Sequence, residues 1–371
     1  MELKRIEVAW RAFWMKAIAL LLPGPRKARI PDWDARPMRL LYLRFERIGD
    51  LIMATAAIRA IKQAHPRFSI DVLVTPTNAP VLENNPHVSE VLFLNGKARG
   101  GYARALRAVQ RRGYDVVVDG RLNKPPIFTS APLVMLASRA EYRVGAAGGR
   151  ADLVYNLPAP EYDKRTNYME ASRALCVPFG IDCSAVDWRP EIFLTDAERR
   201  GAEERWGDTS RRRLLVNLST SELKRRWPDE HFVAALKFVR ARDAHINIGV
   251  SAVPSEWDSV VRIAGEVGAV ALPTPKLRDA LAVVATTDLV FTPDTGISHA
   301  ASAFNRPAVV FMPADFAPYA PYDIPGELVF WPGSSIDSLK VEDVIPALGR
   351  LLDGFPSVRR AARQTRDRNN R

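Results

Sequence analysis

Residues 39–64 read RLLYLRFERIGDLIMATAAIRAIKQA, and this stretch decides the fold class. The short run at 39–45, apolar apart from its arginines, is typical of a strand buried on both faces. From residue 50 to residue 64 the apolar positions recur at helical spacing, at Leu51, Ala54, Ala57, Ile58 and Ile61. A buried strand that leads directly into such a helix predicts a βαβ unit, and therefore a parallel sheet covered by helices.

The same alternation continues along the chain in two series. In the first series we predict a helix at 102–112 and strands at 70–74, 91–94 and 115–118, and residues 133–138 and the run to Gly145 continue the unit. The pattern stops near residue 150. It resumes with a helix at 231–242 and strands at 214–218, 245–250, 269–272, 288–292 and 308–312. Two similar α/β halves predict a cleft between them, with ligands at the carboxyl ends of the strands.

The length of 371 residues, at roughly 100–200 residues per domain, predicts two domains. A mixed, proline-containing stretch at 151–212, with a charged helix predicted at 196–206, separates the two series. We expect a basic amphipathic extension, an N-terminal acceptor-binding Rossmann-like domain, a hinge, a C-terminal donor-binding Rossmann-like domain, and a C-terminal helix with an Arg-rich tail. Their predicted ranges are, in order, 1–38, 39–185, 186–212, 213–340 and 341–371.

The chain is basic, with 53 Lys and Arg against 42 Asp and Glu and a formal net charge of +11. Residues 1–39 contribute +5, from nine basic and four acidic residues, and residues 356–371 contribute +5, from six arginines and one aspartate. A nucleic-acid-binding protein more often spreads its basic residues over a folded face, so no nucleic-acid partner is expected. Basic tails do suit an anionic phospholipid surface, at about 1 kcal/mol for each Lys or Arg near it.

Residues 1–22 have the pattern of an interfacial helix. The apolar stretch at 12–22 is interrupted by Lys16 and is shorter than the ~20 residues that span a bilayer. On a helical wheel, basic residues lie opposite an apolar side formed by Ile6, Trp10, Phe13, Trp14, Ala17 and Leu21. This pattern predicts a helix in the headgroup layer of a membrane. The alternative is a helix packed against the protein's own core or against a dimer partner.

A carboxylate follows the first predicted strand. Gly49 permits a tight turn there, and Asp50 stands at or near the start of the following helix. Because Asp is a good helix cap, capping is one interpretation of Asp50. The other is a general base that takes a proton from an acceptor hydroxyl.

The turn Asp294-Thr295-Gly296 follows the strand predicted at 288–292 and precedes an Ala-rich helix. Free N–H groups and the helix dipole at such a turn favour an anion such as a phosphate. The alternative is simple capping, with His299 packed on a neighbouring strand.

A third polar segment follows the strand predicted at 214–218. It contains the hydroxyls of Ser219 and Thr220 and three consecutive cations at 224–226, which would suit a diphosphate. A solvated basic loop is the alternative. Glu256, further along, is a candidate for a hydrogen bond to a ribose hydroxyl, or for a charge at a helix N-terminus.

Several common signatures are missing. No G-x-x-x-x-G-K-[ST] occurs, and no G-x-G-x-x-G follows either first strand, which counts against P-loop nucleotidases and dinucleotide oxidoreductases. No D-x-D lies near the hinge, and Cys176 and Cys183 lack His or Cys neighbours at zinc spacing. No metal and no cofactor are therefore expected, and two cysteines in a chain of this length indicate a reducing compartment.

The order of these motifs resembles the ADP-heptose:lipopolysaccharide heptosyltransferase family (glycosyltransferase family 9). The resemblance covers roughly residues 39–350 and rests on Arg44-x-x-x-x-Gly49-Asp50, Lys224 to Pro228, Asp294-Thr295-Gly296-x-Ser298-His299 and Arg306-Pro307. It implies a GT-B fold, with two Rossmann-like domains facing a central cleft. It also implies an inverting, metal-independent transfer of heptose from ADP-L-glycero-D-manno-heptose to the lipopolysaccharide inner core.

The resemblance also implies residue roles. Asp50 would be the catalytic base, and Lys224 would contact the donor diphosphate and stabilise the leaving ADP. Further donor contacts would be Ser219, Thr220, Arg225, Glu256, Asp294, Thr295, Gly296 and His299. The family pattern Lys-x-Trp-Pro is altered here, because Lys224 stands three residues before Trp227. Counting from Ser219 favours Lys224 as the diphosphate contact, whereas counting back from Trp227 favours Arg225.

The acceptor would be a phosphorylated, acidic glycolipid. Arg121 and Lys124, beyond the strand at 115–118, are candidate contacts for it, with a solvated loop as the alternative. The expected location is the cytoplasm, at the inner face of the bacterial inner membrane. Two other functions remain open: a GT-B transferase that uses another nucleotide sugar for core, O-antigen or capsule, and a non-catalytic, membrane-associated binding protein of the same fold.

Overall fold

The computed structural model describes residues 28–96, 98–121, 130–146, 154–163, 165–207, 210–220, 222–333 and 335–355. The helix predicted in 1–22, Lys124 and the Arg-rich tail from residue 356 lie outside these ranges. The chain divides into two compact units, the first ending at Trp188 and the second beginning at Arg189. Among the helices within the described ranges, none has both the length and the apolar content needed to span a bilayer.

The first unit alternates strands and helices. Within its described residues the strands are β1 Met38–Leu43, β2 Phe68–Val74, β3 Glu90–Phe93, β4 Val116–Asp119, β5 Tyr142–Ala146 and β6 Leu157–Ala159. The helices are α1 Ile48–Ala64, α2 Gly101–Arg112, α3 Ser130–Ser138 and α4 Met169–Cys176, with 3₁₀ turns at Ala79–Leu82 and Val177–Phe179.

The second unit repeats this alternation. The described part contains β7 Arg213–Asn217, β8 Asn247–Ser251, β9 Val270–Ala271, β10 Leu289–Pro293, β11 Ala308–Pro313 and β12 Gly326–Trp331. Its helices are α5 Asp196–Trp206, α6 Asp229–Arg242, α7 Trp257–Val267, α8 Leu277–Ala285, α9 Gly296–Ala303 and α10 Val341–Gly354. The 3₁₀ turns lie at Leu223–Arg225, Pro254–Glu256, Ala314–Tyr319 and Ile336–Ser338.

Each unit contains one parallel sheet, and the two sheets have the same topology. The strand orders are β3-β2-β1-β4-β5-β6 and β12-β11-β10-β7-β8-β9. Counted from the first strand of its own unit, each order is 3-2-1-4-5-6, which is the Rossmann order. Leu40 illustrates the register in the first sheet, because it pairs with Ile70 on one side and with Val116 on the other.

Apolar strands between helices give each unit its own core. In β1 every residue except Arg39 is buried, as expected for a central strand covered on both faces. The core of the second unit contains a cluster of aromatic rings around Trp227, whose neighbours are Phe232, Phe291 and Phe311. The indole of Trp227 also donates a hydrogen bond of 3.1 Å to the carbonyl oxygen of Leu339. The core therefore begins directly beyond the cations at 224–226.

The fold confirms the predicted α/β class and most of the predicted elements, with ends that differ by one or two residues. The prediction that the first series stops near residue 150 is wrong, because β6 adds a strand beside β5 and α4 follows it. The predicted hinge contains α5, whose Trp206 is buried and whose Arg205 pairs with Asp279 of α8 in the second unit. The helix predicted at 196–206 is confirmed.

Candidate active site

Most of the predicted site residues follow the two central strands of each sheet, and Glu256 follows β8. β1 and β4 are neighbours in the first sheet, and β7 and β10 are neighbours in the second. At these pairs the direction of strand succession reverses, and ligands of doubly wound sheets bind beyond the carboxyl ends of such strands. Asp50 and Arg121 follow β1 and β4, and Ser219 and Asp294 follow β7 and β10.

Asp50 lies inside the first turn of α1 and does not cap the helix. The N-cap position is Arg47, and no side chain caps this helix end. The Asp50 carboxylate is partly exposed and lies 3.3 Å from Nη2 of Arg44. A negative charge here interacts favourably with the helix dipole, yet the carboxylate keeps an accessible face. The position therefore permits proton transfer as well as a structural ion pair.

Arg121 is buried and held by neighbouring carboxylates. Its Nε and Nη2 donate to the two carboxylate oxygens of Asp119 at 2.8 and 2.6 Å, and Nε lies 3.5 Å from Glu46. Tyr155 donates a further 2.6 Å hydrogen bond to Asp119. The alternative of a solvated loop is therefore wrong for Arg121. Burial raises the pKa of Glu46 above its ordinary value, although the nearby guanidiniums of Arg44 and Arg121 oppose this shift.

Thr295 caps α9. Its hydroxyl accepts from the N–H of Ile297 at 3.2 Å, and the hydroxyl of Ser298 closes the capping box. Asn217, buried at the end of β7, donates to the hydroxyls of Thr292 and Thr295 at 3.0 and 3.4 Å. These bonds tie the end of β7 to the turn that follows β10.

Asp294 and Gly296 flank this cap. The N–H of Asp294 donates to the carbonyl oxygen of Phe311 at 3.0 Å, which anchors the turn to β11, and Gly296 is the first residue of α9. His299 is nearly buried on α9, with Nε2 3.9 Å from the carboxylate of Asp294. The predicted turn at a helix N-terminus is therefore present, with the capping done by Thr295 instead of Asp294.

Ser219 and Glu256 are brought together. The Ser219 hydroxyl donates to Glu256 at 2.5 Å and accepts from the N–H of Val253 at 2.7 Å. Glu256 precedes α7 without capping it, and its other oxygen accepts from Arg226 at 2.7 Å. The hydroxyl of Thr220 instead closes a local turn onto the carbonyl oxygen of Glu222. Ser219 and Glu256 thus form one hydrogen-bonded unit beside the end of β7.

The three consecutive cations have different surroundings. Lys224 is 56% exposed and lies 3.3 Å from Glu222. Arg225 is 9% exposed and stacks on the ring of Phe316 at 4.1 Å, and its Nε has no hydrogen-bond partner among the described residues. Arg226 forms ion pairs with Glu256 and Asp229. Arg226 is thus held by two carboxylates, whereas Lys224 and Arg225, among the described carboxylates, each lie near Glu222 only and are the candidates for contact with a diphosphate.

Some residues of this region were not singled out from the sequence. Asn217 and Asp119 are polar residues at the last position of buried strands that are apolar apart from Arg213, and this placement is the signal that marks them. Glu46 carries no such signal, because only its position between Arg44 and Arg121 distinguishes it from a solvated side chain.

Solved structures share this architecture. The glycosyl transferase family 9 protein from Veillonella parvula DSM 2008 has a TM-score of 0.73 at 17% identity, covering 86% of this chain and 98% of that one. The E. coli heptosyltransferase WaaC with ADP-2-deoxy-2-fluoro heptose has a TM-score of 0.67 at 20% identity, covering 85% and 99%. The two Rossmann-like sheets and these likenesses thus define the class of the fold, which is GT-B.

Sequence comparison specifies the family. Residues 102–323, more than half of the chain, match the family model for glycosyltransferase family 9 (heptosyltransferase). The lipopolysaccharide core heptosyltransferase OpsX of Haemophilus influenzae is 21% identical over 291 residues, which is 76% of this chain and 80% of that protein. Lipopolysaccharide heptosyltransferase 2 of E. coli K12 is 25% identical over 310 residues, 76% and 85% of the two chains. The chain belongs to glycosyltransferase family 9.

Proposed function

We propose that this enzyme transfers heptose from ADP-L-glycero-D-manno-heptose to a lipopolysaccharide core acceptor, with inversion and without a metal ion. The observation that carries the proposal is the placement of a carboxylate in one unit and of positive groups in the other, in each case beyond the carboxyl ends of the central strands. The first unit offers the Asp50 carboxylate after β1, and the second offers Lys224, Arg225 and the N-terminus of α9 after β7 and β10. The names of the relatives, which are lipopolysaccharide heptosyltransferases, support the choice of sugar and acceptor.

The proposed reaction is a single displacement at the anomeric carbon. Asp50 takes the proton of an acceptor hydroxyl, whose oxygen forms the new glycosidic bond. The bond from the anomeric carbon to the diphosphate breaks, and its electron pair leaves with ADP. The leaving group gains negative charge, which Lys224 stabilises because it is an exposed cation.

The donor is held by the second unit in this proposal. The N–H groups of Thr295 and Gly296 bind phosphate at the start of α9, and Asp294 and His299 contact the heptose. Glu256, already hydrogen-bonded to Ser219, accepts from the ribose hydroxyls, while Thr220 lies near the phosphates. Arg225, which lies on the same 3₁₀ turn as Lys224, adds a second positive charge beside the diphosphate.

The acceptor is a phosphorylated glycolipid bound by the first unit. Arg121 contributes a guanidinium that Asp119 already holds in place, and Lys124 a second cation. The enzyme works in the cytoplasm, at the inner face of the bacterial inner membrane, with residues 1–22 and the basic tails on the anionic lipid surface.

A donor panel tests this proposal. ADP-, UDP- and GDP-linked sugars are offered with lipopolysaccharide core acceptors, and nucleotide release and product are measured. We expect ADP release with ADP-heptose. Release of UDP or GDP would instead identify a transferase for another sugar, and ADP binding without any turnover would identify a non-catalytic binding protein.

The Asp50→Ala variant tests the assigned base. We expect ADP release to fall by a factor on the order of 10²–10⁴, because general base catalysis contributes about this much, while ADP affinity stays nearly unchanged. Asp182→Ala, which removes an exposed carboxylate of the same unit, serves as the control. Unchanged turnover in Asp50→Ala would overturn the assignment.

A further inference from the structure

Arg44 holds Asp50 at two points. Its side chain, 3% exposed, lies just beyond β1. Nε donates to the main-chain carbonyl oxygen of Asp50 at 3.2 Å, and Nη2 lies 3.3 Å from the Asp50 carboxylate. The guanidinium also lies over the ring of Tyr168, 5.2 Å from its centroid. Arg44 therefore fixes the first turn of α1 and the direction of the Asp50 carboxylate together.

Glu46 is a second carboxylate on the same guanidinium. One of its oxygens lies 3.6 Å from Nη1 of Arg44, and the other lies 3.5 Å from Nε of Arg121. Arg121 is already paired with Asp119 through two nitrogens. The carboxylates of Glu46, Asp50 and Asp119 thus share two guanidiniums, which leaves one negative charge in excess when all are ionised.

This arrangement matters for a base. A carboxylate that is the sole partner of a guanidinium is stabilised in its charged form and takes up a proton less readily. Glu46 divides the attraction of Arg44 between two carboxylates and places a like charge near Asp50. At Asp50, Glu46 therefore offsets part of the charge of Arg44, while Arg44 keeps the carboxylate oriented.

We propose that Arg44 and Glu46 are a positioning pair for the proton acceptor, in which Arg44 orients Asp50 and Glu46 offsets the charge of Arg44. The inference rests on the proposed role of Asp50 as the base. Neither residue of the pair forms or breaks a bond in the reaction. The acceptor proton goes to Asp50, and the electron pair of the breaking bond leaves with ADP.

Three buried titratable groups near this cluster favour their neutral forms. Burial raises the pKa of Tyr42 on β1 well above its ordinary value, and it does the same for Tyr155, which donates to Asp119. Burial also raises the pKa of Cys176 at the end of α4. A change in the acid limb of the activity profile is therefore assigned to the carboxylates.

Glu46→Gln is the first test, because it keeps the shape and removes the charge. With Arg44 left to Asp50 alone, the base ionises more easily. The acid limb of kcat against pH should then move to lower pH by roughly half a unit or more. The plateau of kcat should fall about threefold to tenfold, since a weaker base transfers the proton less well. The matched control is Glu90→Gln, which should leave the profile unchanged. Glu90 is the first residue of β3 and therefore lies at the amino end of its strand, whereas Glu46 follows the carboxyl end of β1.

Arg44→Gln and Arg44→Lys form the second test. Loss of the two-point hold should lower kcat by about a hundredfold in Arg44→Gln and move the acid limb to higher pH, with donor KM within a few-fold of wild type. Arg44→Lys should recover part of kcat, because it restores the charge but not both contacts. ADP affinity and thermal unfolding, measured on each variant, separate these effects from loss of the fold.

The outcomes distinguish this inference from the proposed function. If Asp50→Ala abolishes turnover while Glu46→Gln and Glu90→Gln give the same pH profile as wild type, the positioning pair is wrong and the base remains assigned. If Asp50→Ala still turns over, the proposed base itself fails. A shift of the acid limb in Glu46→Gln to higher pH would also overturn the pair.

Discussion

Three adjacent cations, Lys224, Arg225 and Arg226, differ in the direction of their side chains and therefore in what they contact. They lie on and just after the 3₁₀ turn Leu223–Arg225, where about three residues complete a turn and neighbouring side chains diverge by roughly 120°. One therefore faces solvent, one stacks on Phe316 and one binds Glu256. The sequence alone predicted the charge of this segment but not these directions, because direction depends on the turn type.

Lys224→Ala and Arg225→Ala should separate two roles. Lys224 is exposed, so its loss should change the free energy of unfolding by less than about 0.5 kcal/mol and lower kcat by a factor on the order of 10². Arg225→Ala should raise donor KM and also destabilise the protein by about 1–3 kcal/mol, because its stacked, buried guanidinium is lost. Steady-state kinetics and denaturation measure both effects.

Lys237→Ala, an exposed lysine on α6, is the control for these substitutions. Full turnover in Lys224→Ala, together with loss of turnover in a folded Arg225→Ala, would transfer the leaving-group role to Arg225.

At the scale of elements, the sequence predicts central strands better than edges. β1 and β7 are buried, largely apolar runs that the sequence predicts, whereas β12 consists mostly of exposed and partly exposed residues at the edge of its sheet and is not predicted. β6 has only three residues, one of them a proline, and is too short to show the alternation of apolar and polar residues that predicts a strand. The site residues that follow central strands could therefore be placed from the sequence, but ion pairs such as Arg44 with Glu46 could not, because they depend on side-chain direction.

The junction of α5 and α8 gives a pH-dependent contribution to stability. Hydrogen bonds from Arg278 lower the pKa of Glu198 from 4.5 to about 2, with Thr195 adding to the effect. Because the folded-state pKa lies below the unfolded one, the stabilisation is complete above about pH 4.5 and is lost as the pH falls towards about 2. With partial solvent exposure, it amounts to something on the order of 2 kcal/mol.

Glu198→Gln should therefore lower the free energy of unfolding near neutral pH, and the difference from wild type should shrink as the pH falls through about 4 to about 2. Urea titrations at a series of pH values measure this difference. Glu204→Gln, on the exposed face of the same helix, is the control and should show no such trend. A difference that stays constant with pH would mean that the charge of Glu198 does not contribute.

At the scale of the whole chain, most of the basic excess lies in the two terminal segments, residues 1–27 and 356–371, which are outside the described residues. An N-terminal deletion must end before the first residue that belongs to the core of the first unit. Trp33 is buried, packs on Phe68 and Phe179, and donates to the carbonyl oxygen of Pro178 at 3.0 Å. A deletion that extends beyond it would remove part of the core.

Deletion of residues 1–27 should weaken binding to anionic phospholipid vesicles by at least about tenfold, because it removes the basic residues of the predicted helix together with its apolar side. Co-sedimentation measures the binding. Deletion of 356–371 removes a net charge of +5 without an apolar face and should have a smaller effect. Equal binding of the 1–27 deletion and the full chain would contradict the interfacial helix.

The hydrogen bond between Trp33 and Pro178 also has a consequence for synthesis on the ribosome. Every strand of the first sheet lies between residues 38 and 159. The hydrogen bond joins two residues that flank this range and are 145 positions apart in the sequence. β7 begins only at Arg213. Since domains generally fold as units during translation, the emerging chain can complete its first half before the strands of the second half have been made. Its strands can therefore pair with one another before the similar strands of the second sheet are available, which limits misassembly between two halves of the same topology.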